Sequence, residues 1–357
     1  MSRFWNERTR RITPYVPGEQ PKDRRFIKLN TNELPYPPSP KAIRAMAEAV
    51  NGDLRLYPDP EAERLREAIA RRYGVQPEEV FVGNGSDEIL AFSFLAFFEP
   101  GEPLAFPEIT YSFYRVYAGL FGIPFRLLPL DERFRIRMEE AGEFEGGLIV
   151  PNPNAPTGIA VGLDEIRDWL DRCPSRVCLI DEAYIDFGGQ TAVPLVREYP
   201  QLLVVQTFSK SRGLAGLRVG FAVGQRELIE GLNRVKHSFN SYTLDRVALA
   251  GAEAAIGDED HFRDVCRRIV RTRERTAGEL ARRGFRLTDS SANFVFASHP
   301  DVPAADLHRK LREKGILVRH FNQPKIDNHL RITIGTDEEM DALFRALDEI
   351  LEREGNT

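Results

Sequence analysis

Six short runs of consecutive apolar residues recur along the first two-thirds of the chain, at 80–82, 104–106, 148–150, 177–180, 202–205 and 219–223. A strand apolar on both faces offers no side to water, so it needs cover above and below. Amphipathic stretches between the runs can supply that cover. Residues 61–73, for example, carry Leu65, Ala68, Ile69 and Tyr73 on one helical face. Another helix is predicted at 88–98. The alternation predicts an α/β fold, with a mostly parallel sheet clothed by helices.

Beyond Asp258 the character changes. A long Arg-rich amphipathic helix is predicted at 261–283, with Phe262, Val265, Ile269 and Leu280 on its apolar side. Strands follow at 293–297, 316–319 and 330–334, with helices at 303–314 and 338–352. This reads as a smaller α+β domain closing over the first. At the other end, Pro14, Pro17, Pro21, Pro35, Pro37, Pro38 and Pro40 forbid long helices. Trp5, Tyr15 and Tyr36 make that segment an arm packed on the body rather than a free tail. The expected division is an arm at 1–40, a large domain at 41–257, and a small domain at 258–357 joined by part of the arm. The 357 residues suit two domains and a sizeable core.

Charge and cysteine content exclude several classes. The 49 basic and 54 acidic residues leave a net charge of -5, which argues against nucleic-acid binding. Cys173, Cys178 and Cys266 have no C-x-x-C spacing, so they read as small buried side chains in a reducing compartment, with no metal expected. The longest apolar stretch, 89–98, is far short of the roughly 20 residues of a bilayer crossing. No signal-peptide run opens the sequence. A cytoplasmic protein is expected.

In an open α/β sheet, ligands gather at the carboxyl ends of the strands. After 80–82 comes Gly83-Asn84-Gly85-Ser86-Asp87 and then a helix. This is either an anion cradle or an ordinary loop with an Asp cap. After 148–150 comes Pro151-Asn152-Pro153-Asn154-Ala155-Pro156-Thr157-Gly158, a rigid loop able to present amides. After 177–180 comes Asp181-Glu182-Ala183-Tyr184, whose first carboxylate is either desolvated and in want of a cation or a helix cap. After 202–205 comes Gln206-Thr207-Phe208-Ser209-Lys210, then Gly213-Leu214-Ala215-Gly216-Leu217-Arg218. Four strand ends thus offer an anion cradle, an amide, an acid and an amine.

Asn-Pro-Asn-Ala-Pro-Thr-Gly, Asp181-Glu182-Ala183-Tyr184, Ser209-Lys210 and Ala215-Gly216-Leu217-Arg218, in this order, resemble the fold-type I, class II aminotransferases that use pyridoxal 5′-phosphate. The likeness runs from about Thr13 to Gly335. Thr13-Pro14-Tyr15, Leu29-Asn30-Thr31-Asn32-Glu33, Arg55-Leu56-Tyr57-Pro58 and Leu330-Arg331-Ile332-Thr333-Ile334-Gly335-Thr336 are similar to the histidinol-phosphate aminotransferases within that superfamily. That likeness implies transfer of the amino group of L-histidinol phosphate to 2-oxoglutarate, a step of histidine biosynthesis. Aromatic amino acid aminotransferases, and the lyase threonine-phosphate decarboxylase, share much of the pattern. A non-catalytic regulator built on this fold would have no need of Lys210, Asp181 and Tyr184 together.

The resemblance also implies roles. Lys210 would hold the cofactor covalently and, once freed, carry a proton. Asp181 would keep the pyridine nitrogen protonated, Tyr184 would bond the ring oxygen, and Tyr111 would stack on the ring. Gly85, Ser86, Asp87, Ser209 and Arg218 would surround the 5′-phosphate, with Asp87 more a helix cap than a phosphate contact. The family places Asn directly before Pro-Thr-Gly. Here Ala155 stands there, so either Asn154 reaches the ring oxygen through an altered loop or Tyr184 serves it alone. Tyr15, Asn32, Tyr57, Arg319 and Arg331 would meet the substrates, the arginines gripping phosphate or carboxylate. A homodimer with shared sites is implied, in which Tyr57 reaches the neighbouring subunit's cofactor and substrate.

Overall fold

Cys178 and Ile180 join one apolar core, while Leu179 between them joins another. Leu202 and Val204 alternate with Leu203 and Val205 in the same way. This period of two is what a strand buried on both faces produces. The computed structural model describes residues 2–21, 24–137 and 146–354.

Strand β1 (Ile27–Lys28) lies in the arm. The central sheet is built from β2 (Val80–Gly83), β3 (Leu104–Pro107), β4 (Phe125–Leu128), β5 (Leu148–Pro151), β6 (Cys178–Asp181), β7 (Leu202–Thr207) and β8 (Gly220–Gly224). Its order is β2-β8-β7-β6-β5-β3-β4, with β8 antiparallel to both neighbours and the other pairings parallel. Helices Pro40–Ala49, Glu63–Tyr73, Leu163–Arg172 and Arg246–Ile256 cover one face. Helices Gly85–Phe97, Phe113–Phe121 and Arg226–Phe239 cover the other.

The C-terminal part has its own core around the helix Glu259–Arg282, where Phe262, Ile269 and Leu280 meet Val295, Ile332 and Leu347. Its strands are β9 (Arg286–Leu287), β10 (Phe294–Ser298), β11 (Ile316–Leu317), β12 (Arg319–His320) and β13 (Leu330–Thr333). Four of them form an antiparallel sheet in the order β12-β13-β10-β9. The arm is stitched to this part. β1 pairs in parallel with β11, and the Thr333 amide donates to the Leu29 carbonyl at 3.0 Å.

Several boundaries moved, with consequences for the site. The helix predicted from residue 88 begins at Gly85, so Ser86 and Asp87 belong to its first turn. Asp181 is the last residue of β6 rather than the first residue after it. The apolar run 316–319 splits, because β11 pairs with the arm and β12 with β13. β4 escaped prediction because it is an edge strand with exposed Phe125 and Arg126, without the closed apolar run of the inner strands.

Candidate active site

Pro151, Asp181 and Val205 lie side by side at the carboxyl ends of three parallel neighbours. β8 returns between β7 and β2, placing Gly220 opposite both Thr207 and Gly83. A Cβ at Gly220 would lie 2.5 Å from the Ser86 amide nitrogen. Only glycine therefore lets the first turn of Gly85–Phe97 approach the end of β7 this closely. Gly85 has φ +76°, and a Cβ there would lie 2.6 Å from Nη2 of Arg218. No side chain caps this helix start, whose backbone dipole favours an anion. Ser209 completes the cup, with its amide on Thr207 Oγ1 at 3.1 Å.

Around it opens a cavity of about 400 Å³. Ser86, Asp87, Tyr111, Asp181, Tyr184, Ser209, Lys210 and Arg218 line it, as do Tyr15, Asn32, Arg319 and Arg331. Asp87 bridges two of these groups, accepting from Arg218 at 2.8 Å and from Tyr111 Oη at 2.9 Å. Tyr15 of the arm lies over Phe113, with ring centroids 4.6 Å apart.

Asp181 is buried, and that burial pushes its carboxyl up to about 6. Hydrogen bonds from Tyr114 Oη at 2.7 Å and from the Ala183 amide at 3.2 Å offset this only in part. Among the described residues no cation lies within ion-pair distance of it. Tyr114 was missed from the sequence, where it is indistinguishable from a core aromatic. Lys210 Nζ donates to the Thr31 carbonyl at 3.4 Å and sits 5.7 Å from the centre of the Tyr184 ring. Tyr184 Oη accepts from Asn32 Nδ2 at 3.0 Å.

Across the cavity, Arg319 and Arg331 are directly paired residues of β12 and β13. Arg331 donates through Nη2 to the Asn30 carbonyl at 3.0 Å, while its buried Nε has no partner. Burial lowers its guanidinium pKa. Among the described residues neither arginine has a carboxylate within ion-pair distance. Two adjacent cations facing a cavity without a counter-ion form an anion site. Asn322 and Gln323, just beyond β12, also line this side. They were missed, although the strand-end rule applied to the large sheet would have pointed to them.

Three expected residues stand apart. Asn154 is turned away from the cavity, its amide donating to the Ile109 carbonyl at 2.9 Å, and Ala155 lines the wall instead. The loop closes on the Asn154 backbone, whose N–H donates to the Ile159 carbonyl and whose carbonyl accepts from the Gly158 N–H. Gly85 supports the cup from behind without lining it. Tyr57 is 78% exposed and stacks on Tyr242, away from this subunit's cavity.

Residues 24–347 match the family model described as aminotransferase class I and II. This chain belongs to that family. Histidinol-phosphate aminotransferase of Clostridium beijerinckii is 56% identical, covering 98% of both chains. Histidinol-phosphate aminotransferase 1 of Pseudomonas aeruginosa is 55% identical over 97% of this chain and 99% of its own length. The crystal structure of histidinol-phosphate aminotransferase from Sinorhizobium meliloti, in complex with pyridoxal-5′-phosphate, superposes with a TM-score of 0.84 at 25% identity, over 92% of each chain. The fold is accordingly that of the fold-type I aminotransferases. The site suits the cofactor of that complex. The cup fits a phosphate, the uncompensated Asp181 fits a protonated ring nitrogen, and the Lys210 amine lines the same cavity.

Proposed function

We propose that this aminotransferase moves the amino group of L-histidinol phosphate to 2-oxoglutarate, forming imidazole acetol phosphate and glutamate in histidine biosynthesis. The observation that carries the reading is a single cavity holding Lys210, a buried carboxylate without a cation, and two arginines without an anion. Relatives at 54–56% identity bearing the histidinol-phosphate aminotransferase name support the same substrate.

Pyridoxal phosphate, when bound, supplies an electron sink for the carbanion formed at the substrate α-carbon. The chain's residues do the rest. Ser86, Ser209 and Arg218 would hold the 5′-phosphate, with Gly85 and Gly220 allowing the close approach and the Asp87 carboxylate fixing Arg218 and Tyr111. Asp181 keeps a proton on the ring nitrogen. A cation beside it would oppose the effect of burial on its pKa, so the pair favours both charges. Tyr111 would pack against the ring, and Tyr184 would donate to the ring oxygen. Lys210 would anchor the cofactor and, once freed, its amine would take up and return the proton of the substrate α-carbon. Arg319 and Arg331 grip the phosphate of one substrate and a carboxylate of the other, whose shapes a planar guanidinium fork accommodates alike.

A homodimer completes the site in this reading. Leu54, Leu56, Tyr57, Phe239 and Tyr242 are exposed large apolar side chains, a load that suits a partner surface. Tyr57 then serves the partner's cavity. The working location is the cytoplasm. Amino transfer to 2-oxoglutarate should be assayed from histidinol phosphate, phenylalanine and aspartate, with carbon dioxide release measured from threonine phosphate. The kcat/KM for histidinol phosphate is expected to exceed the others by at least about tenfold. A preference for phenylalanine, or carbon dioxide as the main product, would overturn the assignment.

A further inference from the structure

Ala155 leaves the cavity wall beside Tyr184 with a methyl group where a side-chain donor could have stood. Asn154 cannot replace it, because its amide is committed to Ile109. The neighbouring polar group is Asn32, which arrives from the arm. Its conformation is unusual for a residue other than glycine, with φ +57°. The Asn293 amide donates to its carbonyl at 3.0 Å, and its own N–H donates to Thr333 Oγ1 at 3.0 Å. The Thr333 hydroxyl, having accepted that bond, donates its proton to Asn32 Oδ1 at 3.0 Å. This settles which end of the side-chain amide is which. Nδ2 must face Tyr184, and it donates to Tyr184 Oη at 3.0 Å. With that lone pair engaged, the Tyr184 proton is directed elsewhere. Among the described residues it has no protein acceptor, and the ring lines the cavity.

We propose that Asn32, locked by Thr333 of β13, is a positioning residue that turns the Tyr184 hydroxyl proton into the cavity, an orienting role for which Ala155 has no polar atom. In this role it acts through Tyr184. Thr333 and Arg331 are two apart on β13 and so share a face. The strand that supplies the anion site therefore also sets the donor on the cofactor's ring oxygen. This inference rests on the aminotransferase reading above.

The test is a pH titration of the visible absorbance of the cofactor-loaded protein, read without substrate. A donor on the ring oxygen stabilises the form of the chromophore that has lost its proton, so weakening the donor moves the midpoint up. Asn32→Gly removes the amide and accepts the left-handed backbone without strain. Thr333→Val removes the hydroxyl that fixes the amide's orientation. Each is expected to raise the chromophore's proton affinity about three- to tenfold, the scale of one hydrogen bond. Neither should add to the shift produced by Tyr184→Phe. Unchanged midpoints in both variants, or a full-sized shift that persists in the Tyr184→Phe background, would overturn the proposal. If Asn32→Gly does not fold, Thr333→Val alone decides by the same two criteria. A wild-type protein that gains no visible band with pyridoxal phosphate would instead overturn the parent reading, and this inference with it.

Discussion

Asp181 illustrates how a single buried group can be read in two directions. Its carboxyl is raised to about 6 chiefly by burial, against an ordinary value of 3.8. A group raised on folding binds its proton more tightly in the folded state. Its contribution to stability is therefore full below pH 3.8 and lost as pH rises through about 6. The shift corresponds to at most about 3 kcal/mol. The cofactor-free protein should accordingly lose melting temperature between pH 4 and 7 more steeply than Asp181→Asn, as thermal denaturation at several pH values would reveal. A parallel pH dependence in the two proteins would mean that Asp181 is already compensated without the cofactor. In the loaded enzyme Asp181→Asn should slow turnover by orders of magnitude while sparing much of the cofactor affinity, because the phosphate cup binds independently. Lys210→Ala should abolish both the borohydride-trapped adduct and turnover, since anchor and proton carrier are lost together. At Ala155 an Asn should add a donor to the ring oxygen and lower the chromophore midpoint. An unchanged midpoint there would show that the loop holds the new side chain off the ring.

Elements rather than residues make the phosphate cup. Its donors come from a helix start and two strand ends that meet only because Gly85 and Gly220 lack side chains. Gly85→Ala combines a left-handed backbone with a clash against Arg218. It should weaken pyridoxal phosphate binding by at least about tenfold in titrations of the apoprotein, a loss of about 1.4 kcal/mol. The opposite sign is expected at Gly278, inside the helix Glu259–Arg282 with nothing within 4 Å of a new Cβ. Gly278→Ala should raise stability by about 1 kcal/mol, measured by denaturant unfolding. The strands of this sheet other than β4 were legible because each is a closed apolar run, whereas the edge strand β4 exposes Phe125 and Arg126. The exact start of Gly85–Phe97 was not, because glycine takes φ +76° as readily as a helical φ and its identity does not say which.

At the scale of the whole molecule, the cavity lies where three separately built parts converge. The large sheet contributes Asp181 and Lys210, the C-terminal sheet Arg319 and Arg331, and the arm Tyr15 and Asn32. Tyr57 belongs to none of these walls, and the proposed homodimer would offer it to the second copy. In a hybrid dimer of one Tyr57→Phe chain and one Lys210→Ala chain, the single site with Lys210 receives an intact Tyr57 from its partner. That site should keep wild-type kinetics. If it shows the Tyr57→Phe defect instead, Tyr57 acts within its own subunit.

The sequence alone determined that the chain is an α/β protein with chemistry at its strand ends. Closed apolar runs must be covered on both faces, and polar residues directly after them have nowhere to go but the sheet's carboxyl edge. Asp181 and Lys210 could be singled out on that ground, and the family resemblance added Arg218. Only the tertiary structure decided that Asn154 points away and that Asn32 faces Tyr184. It also set Tyr114 on Asp181 and stood the two arginines side by side. Each of these depends on which of several hydrogen-bonding partners a side chain finds across the fold. Asn32 and Thr333 are 301 residues apart in the chain. No local pattern encodes a bond of that span, because it requires both the arm paired with β11 and β13 in its place in the C-terminal sheet.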